Sequence, residues 1–441
     1  MKSGSARLAM TRRGLLGGGV ALTSCALLAG VGDRLLANRS LADFISGVPG
    51  RMGWRNRINQ GLAECAAAGM AVTGSAGDFP LDGPLHIPSR LRITCEPGCV
   101  IRKAYDDPGD RNALLQTRGE LGGQADGFEW VGGEFRPMDE TLGKGHLATL
   151  LGHGWTFRNA VMRDWRDGLC FIFGGGGFQL HDVNARSMQH KVGTGTFRCI
   201  WNDPAQPSRC FNLVGVGGDD VFQAVPISNP RSEHFGLDIG NLTFENCEGT
   251  SHVARLIAAL VVMGQPGNDV LLPSRITNCT WRNVRGRGGR RSVIVENSYG
   301  DVAKGSLVDN ILIENCAIDC SGEDGTLSDS VRLWSDRQAV GTVRITGSSI
   351  AGSRRPRVMT VEGVRKLVID GGSSVSGTGQ AVRAGGVYPV GDVELRDAHF
   401  SRGSGAHAPL WMKLDGQLST ERITVDGRPS SREAVRLSHG R

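Results

Sequence analysis

The chain has 441 residues, of which 21% are charged and 39% hydrophobic, with 65 glycines and 3 tyrosines. That content supports a large apolar core and excludes wholesale disorder, while the glycines point to many turns. The formal net charge of +6 falls to about +2 once Lys2, Arg7, Arg12 and Arg13 leave with an N-terminal targeting segment, which points away from nucleic acid as a partner.

That segment is the first predicted element. Thr11-Arg12-Arg13-Gly14-Leu15-Leu16 opens an apolar run to about Ala29, with no acidic residue before Asp33. Paired arginines ahead of a glycine-rich apolar stretch resemble a twin-arginine export signal over residues 1–37. The resemblance implies the twin-arginine translocase as a transient partner and a periplasmic or secreted destination. The stretch is short for a membrane span. Leu22-Thr23-Ser24-Cys25 matches a lipoprotein processing box, but the apolar Ala26, Leu27 and Leu28 count against a lipid anchor at Cys25.

Residues 38–441 read as one domain. Trp54, Ile58, Leu62 and Cys65 are spaced 4, 4 and 3, which predicts an amphipathic helix over about 54–68, stopped near Gly69. Short strand-like pieces follow, PLHIP and LRITC, broken by Pro84, Pro88 and Pro97. This opening resembles that of pectate-lyase-like β-helices, in which a helix covers the first coil. The physical need is clear, because an uncovered β-stack exposes a template edge.

A repeat then decides the fold class. Alternating apolar and polar segments begin near Phe128, Trp155, Phe178, Phe211, Leu242, Ile276, Ile311, Val343, Leu367, Val393 and Arg422, at intervals of 23 to 35 residues. A second series runs between them, including DGLCFIF, TGTFRCIW, DDVFQAV, SHVARLIA, RSVIVEN and DSVRLWS. Two strand families with alternating turns predict an all-β fold: a single-stranded right-handed parallel β-helix of about ten coils with an N-terminal capping helix. Propeller blades need roughly 40 or more residues each, longer than these intervals.

The cysteines divide in two. Cys199 and Cys210, which bracket the turn-rich loop 201–209, form the first disulfide candidate in an oxidising compartment, and Cys95 with Cys99 the second. Asn246-Cys247, Asn278-Cys279 and Asn315-Cys316 are expected at one place in three successive coils. There the asparagines would bond one another and the cysteines would fill the core.

Candidate chemistry centres on GVGGDDVFQ. Two adjacent carboxylates raise one another's pKa, so Asp219 and Asp220 need a cation or an acid–base task, unless they merely bond the amides of a turn. Aligning the second series on its first apolar residue gives the column Asp167, Thr194, Asp219, Ser251, Arg291, Asp329. The next column is Gly168, Gly195, Asp220, His252, Ser292, Ser330. The longest coils lie here, so their loops can wall a groove suited to a polymer.

Asp-Gly, Asp-Asp and then His on nearby coils resemble the polygalacturonase group, the family 28 glycoside hydrolases. The resemblance implies a cofactor-free hydrolase that inverts the anomeric centre, with Asp219, Asp220, Asp167 and His252 as catalytic residues. Arg291, Arg332, Trp334 and Arg255 would bind substrate; Arg332 falls on the family's arginine, with Trp334 in place of its lysine. The coil before Asp219 carries Thr194-Gly195 where the group has Asp-Gly. Asp167 and Asp219 stand two rungs apart, about 9–10 Å, at the edge of the roughly 6.5–9.5 Å used by inverting enzymes. Asp203 is an alternative acid.

The arginines suggest another class. Arg285, Arg287, Arg290, Arg291, Arg354, Arg355 and Arg357 would pair with uronate carboxylates. A lyase or epimerase would use an arginine as base and Ca²⁺ on Asp219 and Asp220. A non-catalytic glycan-binding or envelope protein is the third alternative. In each case the partner is a polysaccharide or oligosaccharide, and the protein is expected to be a monomer.

Overall fold

The computed structural model describes residues 38–437 apart from 48–52, 106–112, 118–123, 140–141, 143–144, 167, 189–190, 192, 228–235, 262–273, 298–305, 321–328, 337–338, 353–355, 402–407 and 431–434. The targeting segment, Cys25, Asp167, Arg354 and Arg355 therefore lie outside the described residues.

The chain winds as a right-handed parallel β-helix. Each coil contributes short strands to three ladders rather than to the two families read from the sequence. In chain order, one coil supplies Ser208–Phe211 to ladder A, Val214–Gly217 to ladder B and Phe222–Ala224 to ladder C. Among the described residues ladder B is a sheet of fourteen strands, parallel except for its last pair. Alternation within each strand sends one set of side chains inward, so equivalent residues stack rung upon rung about 4.8 Å apart.

The core is one continuous column of these inward residues. On ladder A, Trp130, Phe157, Leu180, Cys210, Phe244, Trp281, Ile313 and Ile345 follow one another in register. Near the N-terminal end the stack is aromatic, with Trp155 packed face to face between Phe128 at 5.6 Å and Phe178 at 4.6 Å. Towards the C-terminus it becomes aliphatic, as in Val343, Leu367 and Val393. Small β-branched residues suit pleated, fully buried rungs.

Helix Trp54–Ala68 buries Ile58, Leu62 and Cys65 and packs on the strands Ala71–Gly74 and Leu85–Ile87. Asn59 ties it to the stack, donating to the Pro84 carbonyl and accepting from the His86 amide. Gly69 ends the helix in the left-handed region at φ 67°, and the Met70 amide closes onto the Cys65 carbonyl.

The turn from ladder A to ladder B is the same in coil after coil. One residue there adopts a left-handed conformation, at Asn159, Asp182, Asn212, Asn246, Asn283 and Asn315 with φ between 52° and 58°. Asn and Asp reach this region at least strain after Gly. Their side chains also link rungs: Asn283 donates to Asn246 at 2.8 Å and Asn212 donates to Asp182 at 3.0 Å.

Two cysteine expectations are corrected here. Asn246 and Asn315 share a column through Asn283, with Cys247 and Cys316 buried beside them. Asn278-Cys279 instead lies inside the strand Arg275–Arg282, where Asn310 bonds Asn278 in a separate pair. Inserting residues into the longer ladder A strands shifts that Asn-Cys pair off the corner. Cys199 and Cys210 are free thiols pointing inward from different ladders, ladder C and ladder A, rather than closing a loop.

Candidate functional site

The turn from ladder B to ladder C carries the charged residues, and register decides which of them meet. Phe171, Phe197, Phe222, Ile257, Val293, Val331 and Met359 are Cα partners along ladder C. Two residues before each of these, the aligned column is Leu169, Gly195, Asp220, Arg255, Arg291, Asp329 and Arg357. Backbone bonds from Val221 to Arg255 and from Ser292 to Ser330 fix the same alignment.

The column therefore differs from the one built on sequence. Ser251 pairs with Gly217 at the end of ladder B, which puts His252 at the following corner, exposed, with its amide bonded to the Gly217 carbonyl. Arg255, not His252, stands beside Asp220. The first apolar residue of SHVARLIA, Val253, belongs to the turn, so alignment on it slips by three positions.

Asp219 caps the preceding coil. Its carboxylate accepts from the Gly193 amide at 2.8 Å and from the Asp220 amide at 3.0 Å. Asp220 is 5% exposed and takes both Nε and Nη2 of Arg255 in a bidentate pair, the second bond at 2.6 Å. Burial pushes the Asp220 carboxyl up from its ordinary value, against the pull of the Arg255 guanidinium. Burial draws Arg255 down most strongly, but the attraction and hydrogen bond of Asp220 together with Asp219 and Glu296 carry the net shift up. Two rungs on, Arg291 meets Asp329, 3% exposed, at 2.5 Å. Asp203 accepts from the Ala205 amide and from Gln206 within its own turn.

Calcium does not fit the twin aspartates as they stand. Amide N–H groups and a guanidinium already address their oxygens, and a cation at Asp220 would have to displace Arg255. Among the described residues no group of three or more His, Cys, Asp or Glu side chains is gathered so as to hold a metal ion.

The outward face of ladder C broadens this charged column into a surface. Glu296, Trp334 and Glu362 are aligned on consecutive rungs. Beside them, Arg332, Thr360, Arg383 and Trp411 form a parallel column. Arg332 reaches Glu296 at 3.4 Å and lies over the Trp334 ring, 4.7 Å from its centroid. Tyr388, from the turn after Ala384, meets Trp334 edge-on at 5.7 Å. A Cβ on Gly386 would stand 2.4 Å from Glu362 Oε1, so a side chain there would push the carboxylate aside. Further along, Arg383 covers Trp411 at 5.1 Å. Burial, followed by Arg383, holds Arg357 below its ordinary value.

The structure thus gathers Arg255, Arg291, Arg332 and Trp334 on one side of the stack, Arg255 and Arg291 in its edge column and Arg332 and Trp334 on its open face. Glu296, Glu362 and Tyr388 were not singled out from sequence. Stacking RSVIVEN, DSVRLWS and RVMTVE on Val293, Val331 and Met359 would have put Glu296, Trp334 and Glu362 in one column.

No protein-family model and no curated protein sequence matches this chain. Among solved structures it is similar to the catalytic unit of a GH87 alpha-1,3-glucanase from Streptomyces thermodiastaticus, with 11% identity over 90% of this chain and 70% of that one and a TM-score of 0.48. It is similar to PfbA, a surface adhesin of Streptococcus pneumoniae, with 8% identity, 91% of each chain covered and a TM-score of 0.46. The family 28 exopolygalacturonase of Yersinia enterocolitica gives 14% identity, 89% and 79% coverage and a TM-score of 0.46. None of these likenesses is close enough to carry a residue's role onto this chain.

Proposed function

We propose that this protein is an exported polysaccharide-active β-helix whose glycan lies along the outward face of ladder C, with Arg255, Arg291, Arg332 and Trp334 binding it. The observation that carries this is the cluster at Trp334. An indole flanked in register by Glu296 and Glu362, with Arg332 and Tyr388 against it, offers a flat apolar plate ringed by hydrogen-bonding groups. A pyranose has the matching character, with apolar C–H faces and hydroxyls at its rim.

Hydrolysis is the reaction proposed. Of the carboxylates at hand, Glu296 and Glu362 stand half-buried on the outward face on either side of Trp334, Glu296 paired with Arg332, whereas Asp219 bonds backbone amides and Asp220 is closed against Arg255. Glu296 and Glu362 stand two rungs apart, roughly 9–10 Å along the stack. Inverting hydrolases hold their carboxyls about 6.5–9.5 Å apart, so side-chain tilt must supply the remainder. One second reading is elimination on a uronate polymer, with Arg357, in register with Asp329 on the same edge column, as the base.

The test is incubation with a panel of neutral and acidic polysaccharides, following reducing ends and the ultraviolet absorbance of unsaturated products together. Hydrolysis predicts reducing ends alone, lost in Glu296→Gln and Glu362→Gln and retained in Asp219→Asn. Elimination predicts absorbance, lost in Arg357→Ala. Trp334→Ala should weaken glycan binding about 30-fold, the ~2 kcal/mol of a buried aromatic anchor. Unchanged binding in that variant would remove the glycan from this face.

A further inference from the structure

A pair of thiols at the N-terminal end of the stack stands apart from the glycan face. Cys95 ends the ladder A strand Arg92–Cys95 and Cys99 begins the ladder B strand Cys99–Lys103, and both point into the core as free thiols. Between them runs the exposed turn Glu96-Pro97-Gly98, closed by a bond from the Cys99 amide to the Glu96 carbonyl at 3.0 Å.

Glycines on the neighbouring rungs leave the sulfurs facing one another. A Cβ on Gly74 would stand 2.6 Å from Cys95 Sγ and 3.1 Å from Cys99 Sγ, so both sulfurs crowd one point. On the other side, a Cβ on Gly133 would stand 3.3 Å from Cys95 Sγ. Cys199, Cys210, Cys247, Cys279 and Cys316 also neighbour one another in the core, but they come from different strands and corners of the stack. Here two thiols share one space at the surface end of a short turn, with 8% and 1% exposure.

We infer that Cys95 and Cys99 are an oxidation site, closing an intrachain disulfide across the turn 96–98 when the chain meets an external disulfide. The Cys99 thiolate attacks the external disulfide and releases one thiol. The Cys95 thiolate then attacks the mixed disulfide at the Cys99 sulfur and releases the second. Two protein thiols are oxidised and one external disulfide is reduced to two thiols. The order follows from the pair's own interaction. Hydrogen bonding with Cys95 holds the Cys99 thiol below its ordinary value, and the same contact, followed by burial, pushes Cys95 up.

The full-length folded protein would be exposed to oxidised glutathione, quenched in acid, alkylated and digested with trypsin. Cleavage after Arg92 and Arg102 places both cysteines in one peptide, ITCEPGCVIR. The expected product is that peptide without alkylation and lighter by two hydrogens, restored to two alkylated cysteines by reductant. Cys95→Ser should stop at one glutathione adduct on Cys99, and Cys99→Ser should react more slowly. Recovery of the wild-type peptide with both cysteines alkylated, or oxidation joining Cys199 to Cys210 instead, would overturn the assignment.

Discussion

Two corners of the same coil follow opposite rules. At the A–B corner two residues separate the strands, as at 212–213, 246–247, 283–284 and 315–316. At the B–C corner the gap is 218–221, then 252–256, 288–292 and 378–379. A corner of constant length needs one backbone conformation, and residue type supplies it: Asn or Asp in the left-handed region. A corner of changing length has no single conformation to encode. Its charges are held by the neighbouring coil, Asp220 by Arg255 and Arg291 by Asp329. One corner is therefore local in its chemistry and the other depends on long-range pairing.

That contrast can be broken at its strongest point by Arg255→Met. Removing the guanidinium leaves the Asp220 carboxylate buried without its bidentate partner, which ordinarily costs about 3–5 kcal/mol. Arg255 keeps 27% side-chain exposure, so water entering the gap reduces the expected loss to about 2–4 kcal/mol. Urea unfolding measures it. The double variant Asp220→Asn with Arg255→Met should recover part of the loss, because no buried charge remains. If the single variant unfolds at the wild-type midpoint, the B–C corner is held by something other than its cross-coil pair.

A smaller effect is expected at the other corner. Asn283→Ala forces a Cβ-bearing residue without a local bonding group to hold φ 54° and deletes the bond to Asn246, together about 1–2 kcal/mol. Asn283→Gly restores the backbone freedom and loses only the bond, so it should fall between Ala and wild type. Glycine as harmful as alanine would mean that the side-chain ladder, rather than the turn conformation, sets this corner.

The same contrast explains what could be read from the chain. Helix Trp54–Ala68 and the alternation of Leu242, Ile311 and Val343 are signals carried by consecutive residues, so the fold is legible in the sequence. The Asn246 and Asn315 turns were visible for the same reason. The site was not, because its register depends on where each B–C turn ends, and SHVARLIA begins with turn residues that look like strand. Anchoring on Val253 put His252 beside Asp220, while Leu256 would have put Arg255 there. Arg332 and Trp334 share the outward face because both lie inside the strand Val331–Ser335, where alternation is carried by consecutive residues. Glu362 and Tyr388 come from a strand and a turn whose partners lie more than 20 residues away, and nothing local marks them.

The finest distinction between the corners is in the sign of their pH dependence. Asp220, at the B–C corner, has its carboxyl raised by burial. The stability it contributes is complete below its unfolded pKa and is lost as pH rises through the higher folded value. Asp182, at the A–B corner, is lowered by its hydrogen bond to His181 at 2.6 Å and by Asn212. Its contribution is present above the unfolded pKa and is lost as pH falls through the lower folded value. Asparagine cannot titrate, so each isosteric variant cancels its own term. Measured across the acid range, the stability gap between wild type and Asp220→Asn should narrow as pH rises. The gap between wild type and Asp182→Asn should widen. Both slopes should be modest, the second smaller because Asp182 is 42% exposed and screened by water. Slopes of the same sign would mean that burial does not dominate at Asp220, and that Arg255 holds that acid ionised as firmly as the imidazole holds Asp182.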